Sequence, residues 1–163
     1  MATGPIKSVD QVAVVVRDLD DAMRRHSELG IAPWSVYTVT PDTIREMTFR
    51  GHEQPYSVKL ALAQVGDMNY ELIEPVDGPN CYQEFLDARG EGLHHVAQFV
   101  DDLDAAIGEM ERQGFPVLQS GRGIGVDGDG GFAYFDTDGA LGYILEAVEL
   151  PRAMRDPERT YPA

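Results

Sequence analysis

The segment Gln11-Val-Ala-Val-Val-Val-Arg-Asp-Leu-Asp-Asp-Ala22 recurs 84 positions later as His95-Val-Ala-Gln-Phe-Val-Asp-Asp-Leu-Asp-Ala-Ala106, with seven identities in twelve, and the register holds to Gly30 and Gly114. Two copies of one supersecondary unit in 163 residues imply a pseudo-twofold arrangement around a shared core, not two independent folds. In each copy an apolar run, Val12 to Val16 and Val96 to Val100, ends at an aspartate suited to cap a helix, Asp18 and Asp102. Apolar residues at helical spacing follow in both, and each predicted helix stops at its glycine.

Extended segments come next: Trp34 to Val39, Ile44 to Arg50, Ser57 to Gln64 and Asn69 to Glu74 in the first copy, then Val117 to Gln119, Gly131 to Thr137 and Tyr143 to Glu149 in the second. Each copy therefore reads as strand, helix, three strands. The fold class is α+β, two tandem βαβββ modules that form a paired, cleft-enclosing mixed sheet. The divisions are an N-terminal arm (1–8), a first module (9–74), a helical connector (75–92), a second module (93–150) and a C-terminal tail (151–163). The connector opens on Asn80-Cys-Tyr-Gln83, a capping-box pattern. The tail, rich in Pro and Arg, is expected to be an extended arm with little structure of its own.

Period-two alternation puts Gln11, Ala13 and Val15 on one face of the first strand and Val12, Val14 and Val16 on the other, toward the helix. The same rule groups His95, Ala97 and Phe99, so Gln11 and His95 look into one cavity, each beside an alanine that leaves room. His94 is expected on the opposite face, in a structural role. The closing strands repeat a Glu-x-x-Glu pattern, Glu71 to Glu74 and Glu146 to Glu149, at an offset of 75 because the first copy is longer by nine. One carboxylate per copy can face the cavity. Two carboxylates, one imidazole and one amide form a candidate site for a divalent metal with positions left for substrate oxygens.

The net charge of −15 argues against nucleic-acid and membrane-surface partners. The lone Cys81 and an N-terminus without a hydrophobic segment fit a cytoplasmic protein. Two motif-like strings carry no such function: Gly123 to Gly128 spells GxGxxG but precedes a strand, and Asp127-Gly-Asp129 lacks the later residues of a calcium loop.

The paired modules resemble the vicinal oxygen chelate superfamily of glyoxalases, bleomycin-resistance proteins and dioxygenases. Within it, Glu71-Leu-Ile-Glu-Pro75, Phe85-Leu86 and Gly90-Glu-Gly-Leu-His-His-Val-Ala97 are most similar to methylmalonyl-CoA epimerases. The resemblance implies metal-ligand roles for Glu71, His95 and Glu146, with Gln11 at the fourth position, where the epimerases carry His. The metal would be Co, Mn, Zn, Ni or Fe, and a homodimer is implied. Glu146 is the implied proton-transfer residue. Glu46 and Glu53 are candidates for its partner, and Trp34, Tyr37 and Arg122 are candidates for substrate binding.

The implied function is a metal-assisted isomerase or epimerase, or a glyoxalase-like lyase. It would act alpha to the carbonyl of an acyl-CoA or a 2-oxo or hydroxy-carbonyl compound, through an enolate whose charge the metal shares. The alternative is a metal-free, drug-sequestering binding protein of the same fold, for which Gln11 speaks. An extradiol-type dioxygenase wants a second His.

Overall fold

The computed structural model describes residues 4–162; Met1 to Thr3 of the N-terminal arm and Ala163 of the tail lie outside the described residues. The first copy comprises β1 (Gln11–Val15), α1 (Leu19–Glu28), β2 (Trp34–Val39), β3 (Arg45–Phe49), β4 (His52–Glu53), β5 (Ser57–Val65) and β6 (Met68–Asp77). After α2 (Cys81–Arg89) the second copy follows as β7 (Gly92–Val100), α3 (Leu103–Arg112), β8 (Val117–Ile124), β9 (Gly130–Phe135), α4 (Asp138–Leu141) and β10 (Ile144–Glu149). The chain ends in β11 (Arg159–Tyr161). No helix among the described residues is long and apolar enough to cross a membrane.

The strands form one open mixed sheet in the order β11-β2-β5-β6-β1-β7-β10-β9-β8-β3-β4. The two copies meet at its centre, where β1 and β7 pair antiparallel, each flanked by the parallel closing strand of its own copy, β6 or β10. The extra length of the first copy is the β3–β4 hairpin, which leaves that copy's strands and pairs with β8 at the far edge. The tail is not the unstructured arm that its composition suggests. Its β11 pairs antiparallel with β2, so residues 151–162 run from the end of β10 to the opposite edge of the sheet.

Alternation decides what each face meets. The valine face of β1 packs under α1, with Val16 in a cluster of Leu19, Ala22, Met23, Trp34 and Leu72. Leu103, Met110, Phe135 and Leu145 form the matching cluster under α3. The other face encloses a larger core that includes Ala13, Ala97, Tyr82 and Tyr134.

Both helices start alike. Asp18 accepts the Asp21 amide at 2.9 Å and Asp102 accepts the Ala105 amide at 2.9 Å. The outward glutamate of each closing strand adds a second acceptor: Glu74 takes the Leu19 amide at 2.7 Å, and Glu149 takes the Leu103 amide at 3.0 Å. Both helices are followed by glycine with positive φ, Gly30 at 91° and Gly114 at 87°. Asn80 caps α2 through a 2.9 Å bond from the Gln83 amide.

Candidate metal centre

The register explains why four distant residues share one spot. Across β6, β1, β7 and β10, one row of partners reads Glu71, Ala13, His95 and Ile144, and the next reads Asn69, Gln11, Ala97 and Glu146. The rows lie two residues apart along each strand, so all their side chains project from the same face. Exchanging the copies swaps Gln11 with His95 and Glu71 with Glu146. The alanines between them, Ala13 and Ala97, are almost fully buried and keep the centre of the wall clear.

His95 Nε2 lies 3.1 Å from Glu146 Oε2 and 3.4 Å from Glu71 Oε2. One donor atom from each of the three residues falls within 4.8 Å of the others. All three side chains are buried, as is Gln11 in the adjoining position. Burial is the largest influence on His95 and would strip its charge, but the Glu146 and Glu71 carboxylates outweigh it and lift the imidazole to about 9. Burial likewise raises the Glu71 carboxyl above the usual range, against the pull of His95.

Despite their closeness, His95 Nε2 and Glu146 Oε2 complete no well-directed hydrogen bond. Two buried carboxylates facing one imidazole carry excess negative charge that water cannot screen. A divalent cation answers both demands, because it takes up unpaired lone pairs and neutralises the carboxylates. The donor set therefore fits such an ion.

These groups form part of the wall of a cavity of about 570 Å³, on the scale of small-molecule sites. Gln11, Glu71 and Glu146 line it, along with apolar residues such as Val58, Leu60 and Phe132. Tyr37 lines it as well.

The other sequence candidates lie elsewhere. Trp34 is three residues from Tyr37 on β2 and so faces the helix, fully buried, with its indole nitrogen donating to Ser27 Oγ at 3.1 Å. Arg122 also lies off the cavity: it pairs with Gly131 across β8 and β9, and its guanidinium pairs with Asp104 of α3. Glu46 sits at an irregularity in the β3–β8 register with φ of 53° and turns its exposed carboxylate toward Arg45 at 3.8 Å. Glu53 is exposed on the β4 hairpin. None of these four lines the cavity.

His94 departs from the expected opposite face. Ala13 pairs with His95 while Val14 pairs with Leu93, so His94 is an extra residue in β7, and this bulge breaks the alternation. Its buried ring touches those of Tyr82, Phe85 and Tyr134, and its Nδ1 lies 2.9 Å from Nδ1 of His95. Burial keeps its pKa well below the ordinary histidine value, so this ring is neutral.

Three tyrosines also escaped sequence reasoning. Tyr134 pairs with Glu146 across β9 and β10, sets its ring 4.8 Å from that of His95 and accepts a 2.8 Å hydrogen bond from Tyr82. Tyr56 brings a buried, unpartnered hydroxyl to the cavity. Burial raises the pKa of all three well above the ordinary phenol value, so they keep their protons. The signal for Tyr134 was its register opposite Glu146, which no local pattern encodes.

Residues 10–135 match the Glyoxalase/Bleomycin resistance protein/Dioxygenase superfamily. The chain belongs to this superfamily. A methylmalonyl-CoA epimerase from Mycobacterium tuberculosis superposes with a TM-score of 0.66 at 27% identity, over 93% of this chain and 94% of that one. A Streptomyces coelicolor methylmalonyl-CoA epimerase variant, in complex with 2-nitronate-propionyl-CoA, shares the fold with a TM-score of 0.66 at 20% identity, over 92% and 99%. The uncharacterised Bacillus subtilis protein YqjC is 28% identical over 95 residues, 56% of this chain and 68% of its own length. Within the superfamily fold, the row-by-row register above is what brings the Glu71, His95 and Glu146 side chains together.

Proposed function

We propose that the protein is a metal-assisted isomerase or epimerase, or a related lyase, acting on the carbon next to the carbonyl of an acyl thioester or a 2-oxo or hydroxy-carbonyl compound. The observation that carries this reading is the convergence of Glu71 and Glu146, which line the cavity, on the buried His95, with polar atoms there left unpartnered. A cavity used only to sequester an apolar molecule has no use for two buried carboxylates, each of which is costly to desolvate.

Glu71, His95 and Glu146 would hold the ion, with Gln11 Oε1 as a fourth donor. When bound, the ion would draw charge from the substrate carbonyl and so acidify the adjacent C–H. Glu146, through the carboxylate oxygen not spent on the ion, takes the proton from that carbon. Glu46 and Glu53 do not line the cavity, so neither is placed to return the proton. The proton taken up by Glu146 goes back to the same carbon, from Glu146 or through a second group on the opposite face, so the substrate's atoms balance and inversion is open. Tyr56 donates its unused hydroxyl proton to a substrate oxygen.

The test joins metal analysis with deuterium uptake from solvent by candidate acyl-CoA and 2-oxo compounds. Wild type is expected to retain about one ion per chain and to exchange the alpha proton, and Glu146→Gln to lose exchange by roughly 10²- to 10⁴-fold. Failure to retain metal after reconstitution, in wild type and in Gln11→His alike, sinks the metalloenzyme reading.

A further inference from the structure

We propose that Arg155 is the anchor for an anionic group, a carboxylate or a phosphate, at the end of the substrate remote from the reacting carbonyl. This rests on the functional reading above. The charged residues lining the cavity are Glu71, Glu146, Arg155, Asp156 and Glu158, and Arg155 alone is basic.

The remaining acidic groups do not neutralise it. Glu158 spends its carboxylate on Thr38, accepting from the amide at 2.8 Å and the hydroxyl at 3.0 Å. Arg155 forms no ion pair with Asp156 or any other carboxylate among the described residues. Apart from Arg17, every other arginine is paired: Arg24, Arg25, Arg45, Arg50, Arg89, Arg112, Arg122, Arg152 and Arg159 all meet an acidic partner. In a chain of net charge −15, an arginine without a carboxylate at a cavity rim is the exception.

Its side chain is exposed, but a hydrogen bond tethers it. Nε donates to Gly125 O at 2.9 Å, which holds the guanidinium while leaving both terminal nitrogens available for a two-pronged contact. The strap that carries it is tied down on each side. Before Arg155, the Val126 amide donates to Ala153 O at 2.9 Å and Arg152 pairs with Asp129 at 2.7 Å. Pro151 packs so closely on Gly125, where φ is 93°, that a Cβ there would lie 2.2 Å from the proline ring. After Arg155, the Glu158 amide donates to Val36 O at 2.9 Å and β11 joins β2. A guanidinium ordered in advance gives up little entropy on meeting an anion.

The experiment measures calorimetric binding of acetyl-CoA, of S-acetylpantetheine, which has the thioester without the phosphates, and of 2-oxoglutarate, whose second carboxylate is separated from the carbonyl. Each is titrated into wild type, Arg155→Gln and Arg155→Lys, with Co²⁺ and in EDTA. Arg155→Gln is expected to lose about tenfold to a hundredfold for at least one of the two anionic probes and to leave S-acetylpantetheine unchanged. Arg155→Lys should recover part of that loss. Loss confined to acetyl-CoA identifies phosphate as the anchored group, and loss confined to 2-oxoglutarate identifies carboxylate. Equal affinities of wild type and Arg155→Gln for every probe, or an equal loss for the neutral one, overturn the proposal. Loss of anion binding in a protein that exchanges no alpha protons upholds the anchor and counts only against the enzymatic reading.

Discussion

His94 and His95 are neighbours in sequence and meet through the same ring atom, Nδ1 to Nδ1 at 2.9 Å. One nitrogen must donate. His95 directs Nε2 toward Glu71 and Glu146, so its proton belongs on Nδ1, and the neutral ring of His94 is the acceptor. An imidazole ligand commonly has its far nitrogen held in this way, which fixes the tautomer and the ring plane. His94→Leu should therefore weaken Co²⁺ or Zn²⁺ binding by about tenfold to a hundredfold, read by competition with a chelating dye. His94→Asn, with an oxygen able to accept from the same place, should bind metal better than the leucine variant and restore the ¹⁵N shifts of the His95 ring. If the leucine variant binds as tightly as wild type, the contact is packing alone. The sequence could not announce this role: strict alternation sends His94 to the other face, and only the bulge in β7 brings it back.

At the scale of elements, the repeat was legible because each copy writes the same instructions in local code. An aspartate before the helix, a glycine after it and a glutamate on either face of the closing strand are all visible without a fold, and Asp18, Asp102, Glu74 and Glu149 cap the helices in matching pairs. The four residues of the candidate centre follow from parity along those strands. Trp34 was open to the same parity argument, which assigns it to the helical face, whereas register shifts in β8 hide the direction of Arg122 from any local pattern. The β3–β4 hairpin and β11 were not legible, because their partners, β8 and β2, are remote and specified by long-range register. The local code makes a quantitative demand. Asp102→Ala removes the acceptor for the Ala105 amide and should cost about 1 kcal/mol in denaturant unfolding, and Asp18→Ala a similar amount. A loss well below that in both would mean that Glu74 and Glu149 suffice as caps on their own.

Across the whole molecule, the β1–β7 seam is both the joint between the copies and the floor of the candidate centre. Glu71 comes from the first copy, and His95 and Glu146 from the second, so an ion bound there ties the halves together. With one continuous sheet as well, the chain should unfold in a single transition that metal shifts as a unit. At a free concentration about 100 times Kd, linkage supplies roughly 2.7 kcal/mol, which for a chain of this size raises Tm by about 5–10 °C. The shift should grow with pH. His95 in the ion-free protein holds its proton up to about 9, and an ion must displace it, so apparent affinity falls by up to about tenfold for each unit below that value. The raised pKa of His95 also stabilises the ion-free fold fully below its ordinary 6.5, and that contribution is lost as pH climbs toward 9. The first effect widens the gap between metal-bound and ion-free protein from pH 6 to pH 8, while the second lowers the ion-free protein's own stability over the same range. Calorimetric scans at the two pH values, with Co²⁺ and with EDTA, check this. Two separable transitions, or a metal shift no larger at pH 8 than at pH 6, would contradict a centre that spans the seam through His95.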